Sequence, residues 1–540
     1  MKRFRIKRFH YWSLHSLYHL IVFYCFLSIA LYSSAQPYQI QQTSRQKMKL
    51  REFSQGIIAT STESVYTLRG KYNALAEQFV FIDQHNHITG QLTQTIPVVY
   101  PQLHKDHNIN SILYFEDLIF TDSVFILLVS GYDSEKKSFI SYAQIISPEG
   151  EKSNLSEALK ITQSKKITKG EFVFKSSPNH QHFLIYHRKE SLFNEEEIIT
   201  ISTFNGSMSL NWKTEYILPG SGDRFNPEDL LIDNDGNVRI VSQIFLTDTQ
   251  QKEKNLPEAN FYYSVLTFYN NSDRNEPEEF ILSFTDKYPV NIIAQLDYQS
   301  ALTIAGYYSD KKTQEKINGL YFFQIPNNQS APTKISVQRF QESFIPDFEK
   351  EKFFLSGTPE EPEVKNLIFH QLDDSSFVLA SEHTLISENC YTDFRTALTN
   401  CDYQYYFNDI FVVKIDISGN IRWKIKIPKK QVSKNDYGLY SSFAFSAYHD
   451  RLVFFYNESE KNLDKKKDSG MKYMSDPFTS NIVAVEINSN GLVNKIPILS
   501  NAKQKTVFRP RFSLQDKGSR TFLYFSKFNS YAIRPINTGF

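Results

Sequence analysis

LLIDNDGNVRIVSQIF, residues 230–245, reads as an apolar strand, a polar turn around Gly236 and a second apolar strand, and the same design recurs along the chain. A run of this kind bounded by Asn, Asp and Gly is a β-hairpin signal. Turns of this first set centre near residues 62, 122, 179, 235, 298, 374, 449 and 517, as in FKSSPNHQHFLIYHR (174–188) and AYHDRLVFFYN (447–457). A second set alternates with it, near 86, 150, 206, 271, 328, 419 and 490, as in ITISTFNGSMSLNWK (199–213) and VAVEINSNGLVNKIPI (483–498). Successive turns of the first set are 60, 57, 56, 63, 76, 75 and 68 residues apart.

Two hairpins per interval make a four-stranded unit. Such a unit cannot cover its own apolar faces, and stacking copies around an axis buries them. The pattern predicts an all-β chain folded as a single β-propeller of seven to eight four-stranded blades, with eight favoured. Gly206, Gly236, Gly419 and Gly491 suit turn positions with positive φ, and Trp212 and Trp423 supply bulk between blades. Gly131–Lys137 (GYDSEKK) is echoed by Gly306–Lys312 (GYYSDKK), an offset of three blades. Eight turns of the first set against seven of the second leave the last blade short. A C-terminal strand at Tyr531 to Pro535, paired with an N-terminal strand near Tyr38 to Gln42, is expected to close the ring. The propeller then spans 51–540, with 36–50 as the segment that carries the closing strand.

Residues 1–35 read as a signal peptide. Lys2, Arg3, Arg5, Lys7 and Arg8 form a basic start, residues 17–32 an apolar core, and Ser33-Ser34-Ala35 a small-residue cleavage site ahead of Gln36. The apolar run is short for a membrane span, and Cys25 lacks the small neighbours of a lipoprotein box. Cleavage at Ala35 would export the protein to the periplasm or the extracellular medium, with no transmembrane span in the mature chain. It removes five basic residues and no acidic ones, leaving 55 Lys and Arg against 59 Asp and Glu, about −4. No basic stripe points to nucleic acid.

Two cysteines then remain, Cys390 and Cys401, in the polar insertion SENCYTDFRTALTNCDYQYY (387–406). In an oxidising compartment they are expected to form a disulfide. Two cysteines without a second ligand pair make a poor zinc site. His180, His182 and His187 have a spacing that invites a metal, but Ser177-Pro178-Asn179-His180 reads as a turn. Asp233, Asp235 and Gly236 start like a calcium loop, yet Ser242 stands where the bidentate glutamate belongs. No metal site and no cofactor are expected. There is no nucleophile elbow, Gly220-Ser221-Gly222 lacks the context of a phosphate cradle, and no catalytic residue can be assigned.

Ile427 to Phe443, IPKKQVSKNDYGLYSSF, with FNDIFVVKIDISGNIRWKIKIP before it and the strand Leu452 to Tyr456 after it, resembles a segment of uncharacterised exported proteins of Gram-negative bacteria, which are propeller-like and have no assigned activity. The resemblance covers roughly the C-terminal third and implies fold and export only. From the residues themselves, this segment is a long connection with a tight turn at Gly438. It offers Lys429, Lys430, Gln431, Lys434, Asn435, Asp436 and Tyr437 as a candidate binding surface, because loops at sheet ends carry function. The lysine-rich stretch from Lys461 to Lys472 reads as a hairpin tip. The expected function is a non-catalytic binding or scaffolding module for an envelope or extracellular protein, peptide or glycan. The alternative is a secreted polysaccharide hydrolase or lyase with its site in the propeller funnel.

Overall fold

In a computed structural model the residues described are 38, 40–72, 77–98, 113–133, 137–162, 170–189, 197–218, 224–246, 261–270, 276–284, 286–297, 299–311, 316–327, 329–341, 344–345, 358–359, 363–393, 395, 398–463 and 470–539. The signal segment 1–35 and Gly220-Ser221-Gly222 lie outside them, as do residues 464–469 of the Lys461 to Lys472 stretch. The molecule is nearly all β, built of antiparallel sheets.

Sheet I holds Glu52–Thr60, Ser64–Tyr72, Glu77–Asn86 and Leu92–Pro97; sheet II holds Tyr114–Phe120, Phe125–Asp133, Ser138–Ile146 and Ser156–Thr162. Sheet III is Glu171–Ser176, His182–Arg188, Ile198–Asn205 and Leu210–Ile217, and sheet IV is Phe225–Ile232, Val238–Phe245, Phe261–Phe268 and Glu278–Leu282. In sheet V, Tyr288–Pro289 and Ile293–Leu296 both pair with Leu302–Ser309, followed by Gly319–Ile325 and Lys334–Arg339. In sheet VI, Thr358–Pro359 and Glu363–Gln371 pair with Phe377–Asp393, and Leu398–Ile415 carries both Ile421–Ile427 and Gln431–Lys434. Sheet VII is Ala444–Tyr448, Arg451–Glu458, Asn481–Ile487 and Val493–Ser500. Sheet VIII is Val507–Phe508 and Leu514–Gln515 on Arg520–Lys527, then Ser530–Asn537, with Gln46–Lys47 on its far side.

The first set of sequence turns falls between the first and second strands of the sheets, and the second set between the third and fourth. Gly236, Gly419 and Gly491 have φ of 81°, 84° and 79°. Gly206 departs from the expectation: the left-handed residue of its turn is Met208, φ 60°. The N-terminal partner of Ser530–Asn537 also differs, being Gln46–Lys47 (Gln46 opposite Tyr531) rather than Tyr38 to Gln42. Tyr38 docks by its side chain, its hydroxyl donating to Glu486 Oε1 at 2.5 Å, with its ring edge-on to Phe455.

Alternation explains where the core sits. Successive strand residues point to opposite faces, so Phe125, Leu127 and Val129 pack toward sheet I while Ile126 and Leu128 pack toward sheet III. Apolar clusters of this kind fill the gaps between successive sheets. A further cluster of Met48, Val65, Phe522, Tyr524, Tyr531 and Ile533 lies between sheets VIII and I. A fully buried Phe such as Phe125 contributes about 2 kcal/mol. Trp212 and Trp423 reach across gaps, their indole N–H groups donating to Gly236 O at 3.1 Å and Ser489 O at 2.9 Å.

Candidate functional site

Two places gather polar chemistry: a protruding arm on sheet VI and a cavity between the innermost strands.

The arm follows from strand length. Phe377–Asp393 and Leu398–Ile415 run for 17 and 18 residues, about twice their counterparts in the neighbouring sheets, and so continue past sheet VI as a two-stranded ribbon. Cys390 and Cys401 face each other across it at disulfide distance, with Sγ atoms 1.98 Å apart. Glu388 lies beside them, but sulfurs bonded to each other are not metal ligands.

Gln431–Lys434 lies along the arm, paired with residues 404–407, so the segment read as a connection is partly a strand. This pairing divides the seven candidate residues. Lys429 and Gln431 are buried, the Lys429 side chain 0% exposed. Lys429 Nζ meets Glu382 Oε1 at 2.6 Å and donates to Phe407 O and Gln431 Oε1, and Glu382 Oε2 accepts from Asn366 and Ser442. Burial pushes the Lys429 ammonium below its ordinary range, with Glu382 opposing. Lys434 pairs with Asp402 at 2.9 Å, and Asn435 exchanges hydrogen bonds with Tyr403. Asp436 accepts from the Gly438 amide at 2.9 Å. That turn needs glycine, because Gly438 has φ 67° and a Cβ there would stand 2.2 Å from the Phe407 ring. Tyr437 is 77% exposed, 5.6 Å from Tyr405, which lies 6.4 Å from Tyr403. Lys430 lies over Tyr473. Tyr437 therefore stands exposed over a buried Tyr405, with Lys434 exposed three residues before it and Lys430 half-buried.

The cavity has a volume of about 1000 Å³ and is walled by inner strands and turns of sheets III to VIII. His180, His370, His449, Asp297, Asp373 and Lys175 line it. His180 occupies the turn predicted for it, in the left-handed region at φ 55°, and His449 the corresponding turn of sheet VII at φ 53°. The His180–His182–His187 trio does not converge: His182 lies near Asn211, and His187 is buried against Phe172. The Asp233 carboxylate is spent on its own turn, accepting from the Asp235 and Asn237 amides and the Asn237 side chain.

Sequence reading missed one constellation beside this cavity. Lys175 stands on the inner strand of sheet III, between Asp117 on sheet II and Asp229 on sheet IV. Both aspartates sit at bulges where the ladder register shifts, and each Oδ1 accepts from the following amide, Leu118 at 2.7 Å and Leu230 at 3.0 Å. Bulges re-aim side chains and recur next to functional sites. Burial raises both carboxyls above the ordinary range, opposed by the Lys175 charge and by backbone amides. The available signal was Glu116-Asp117-Leu118 repeated as Glu228-Asp229-Leu230, two units apart.

No family model and no curated protein matches the chain. Solved structures do. The β-propeller domain of the Trilobed protease from Pyrococcus furiosus is similar at TM-score 0.33 and 10% identity, covering 85% of this chain and 98% of that one. Drosophila Plexin A, solved in complex with Semaphorin 1b, is similar at 0.34 and 10%, covering 92% and 88%. Pyrococcus horikoshii acylaminoacyl peptidase is similar at 0.34 and 10%, covering 88% and 58%. Nothing about this chain's chemistry follows from likenesses at that level. Among the described residues no helix is long and apolar enough to cross a membrane.

Proposed function

We propose that the eight sheets are the blades of one closed propeller, completed by Gln46–Lys47, and that the protein is an exported, non-catalytic binding or scaffolding module. Its partner is an envelope or extracellular protein, peptide or glycan. The observation that carries this reading is the arm, a ribbon clipped at Cys390 and Cys401 that holds Tyr437, Tyr391, Lys430 and Lys434 outside the body of sheet VI. Exposed tyrosines combine a large apolar ring with a polar tip, the composition favoured at interfaces. Export rests on residues 1–35, with Gln36 as the mature N-terminus, and N-terminal sequencing of secreted or periplasmic material checks it. The binding test is a cross-linking pull-down from the cell envelope and medium, with a Lys430→Ser, Lys434→Ser, Tyr437→Ser bait in parallel. A partner held by the native chain and lost by the variant supports the reading; no partner with either bait removes it.

A second reading, a secreted polysaccharide hydrolase or lyase acting in the inner cavity, is favoured by Asp117 and Asp229, two carboxyls kept above their ordinary range beside Lys175. Such carboxyls suit acid and base roles. Depolymerisation of a polysaccharide panel that is abolished by Asp117→Asn or Asp229→Asn supports it, and an inert native protein removes it.

A further inference from the structure

We propose that the tip of the arm joins two copies of this chain, the free strand edge at residues 399–401 of one pairing antiparallel with the same edge of the other about a twofold axis at Asn400. The surface is the backbone edge of the arm. It is separate from the Tyr437, Lys430 and Lys434 side chains on which the proposed binding role rests.

The first ground is open backbone. The Tyr403 carbonyl accepts from the Asn435 amide at 2.9 Å and the Tyr403 amide donates to Asn435 Oδ1 at 2.7 Å, so this residue's backbone points away from Phe377–Asp393. Alternation along an antiparallel ladder then turns the backbone groups of Cys401 and Thr399 the same way. The Cα atoms of Cys390 and Cys401 lie 4.0 Å apart, as suits a facing pair that exchanges no backbone bonds. Among the described residues nothing pairs with these outward groups. The pairing of Gln431–Lys434 stops at Gln404, and the chain then turns at Gly438 against the Phe407 ring, away from the tip.

The second ground is the lack of a guard. Exposed sheet edges are ordinarily protected by a lysine, a proline or a bulge. Thr399-Asn400-Cys401 carries none of these, and the ladder from Thr384 to Asp393 runs without a register shift. Thr399 and Asn400 are exposed. The nearest charges, Asp402 and Lys434, are paired with each other. The Cys390–Cys401 bond holds the ribbon in register, so the edge is formed before anything docks on it.

The third ground selects the occupant, because this edge is its own complement. With the two Asn400 residues facing on the axis, Thr399 of each copy comes opposite Cys401 of the other. Each such pair can exchange both backbone hydrogen bonds. The facing Asn400 amides offer a donor and an acceptor each, and no like charges meet. A two-stranded ribbon is marginal alone, and this pairing makes the two tips one four-stranded sheet. Antiparallel tips set the two bodies at opposite ends, so the bodies need not touch. The contact is small, which predicts a weak, reversible dimer, and twofold closure stops the assembly at two.

The test is sedimentation equilibrium of the full chain from Gln36 with its disulfide intact, across a concentration series. A dimer dissociating in the micromolar range is expected. Thr399→Pro deletes an outward amide that the ribbon itself does not use and should weaken the dimer by about tenfold or more. Asn400→Asp sets like charges face to face and should weaken it most at low salt. Unchanged melting temperatures show that both variants fold. Thr392→Pro, on the opposite edge of the ribbon, should leave the dimer intact, as should Tyr437→Ser. A native chain still monomeric at about 100 μM overturns the proposal, as does a dimer indifferent to Thr399→Pro and Asn400→Asp, or one that Thr392→Pro dissociates equally. A monomer would leave the pull-down of an envelope partner untouched, so the two readings fail separately.

Discussion

The Tyr531 hydroxyl donates to Asp83 Oδ2 at 2.8 Å, joining the last sheet to the first across 448 residues of sequence. Asp83 also accepts two hydrogen bonds from Arg69, at 2.9 and 3.0 Å, and one from Thr95. Burial works to raise this carboxyl, and Arg69 outweighs it, holding Asp83 below the ordinary range. Tyr531→Phe removes one charge-assisted hydrogen bond and should lower stability by about 2 kcal/mol. Asp83→Ala leaves the Arg69 guanidinium with Glu52 as its remaining carboxylate partner and should cost about 3 kcal/mol. Urea unfolding of the two variants checks the order.

Acid should weaken the fold over a defined window. His85 and His383 are buried, and burial lowers each to about 4 from 6.5, Lys429 adding to the effect at His383 and Asp83 opposing it at His85. The unfolded chain therefore binds more protons than the folded one between pH 6.5 and 4, so stability falls as pH drops through that interval. Each histidine accounts for about 3 kcal/mol at the acid end. Melting temperature measured from pH 7 to 4 should fall, and His85→Gln should flatten the slope; an unaltered slope would count against the assignment.

Lys429→Met should destabilise the protein by about 3 kcal/mol or more, because it removes the ammonium that meets the buried Glu382 carboxyl. The double variant Lys429→Met, Glu382→Gln should recover part of the loss. A double-variant cycle in chemical denaturation measures the coupling. Lys434→Ser, at an exposed pair, should leave stability nearly unchanged.

Reduction of the Cys390–Cys401 bond should act locally. Its sequence separation is 11, and closing such a loop contributes about 2–3 kcal/mol in the chain-entropy model. Because the bond lies in the protruding ribbon, hydrogen exchange should accelerate over residues 388–403 while the buried strand Phe125–Asp133 keeps its protection. Intact-mass measurement should show two mass units gained on reduction, one hydrogen per sulfur.

The strand pattern was legible because both faces of the two middle strands of each sheet are buried and the turns flanking them are polar, as at Asp233 to Asn237. What escaped notice has physical reasons. Gln46–Lys47 is two residues long and carries no periodicity. Tyr38, near which a strand was expected, is held by a hydroxyl contact and a ring. Lys429 looks like a solvated charge because its partner Glu382 lies on another strand, and spacing along the chain does not reveal that pairing. The arm residues were found as a region, but the division into buried and exposed members required the register of Gln431–Lys434 on residues 404–407. Asp117 and Asp229 left a repeated tripeptide, unremarkable until Lys175 stood between the two strands that carry it.

Gln46–Lys47 has a consequence for how the molecule is made. Sheet VIII joins Gln46 to Tyr531, 485 residues further on, so a chain emerging amino end first holds this strand without its mate until Ser530–Asn537 has been made. Such distant pairing slows folding and leaves the Val65 and Tyr531 side chains of the final gap uncovered in the interim. A product truncated before Ser530 therefore leaves Gln46–Lys47 without a strand to pair with.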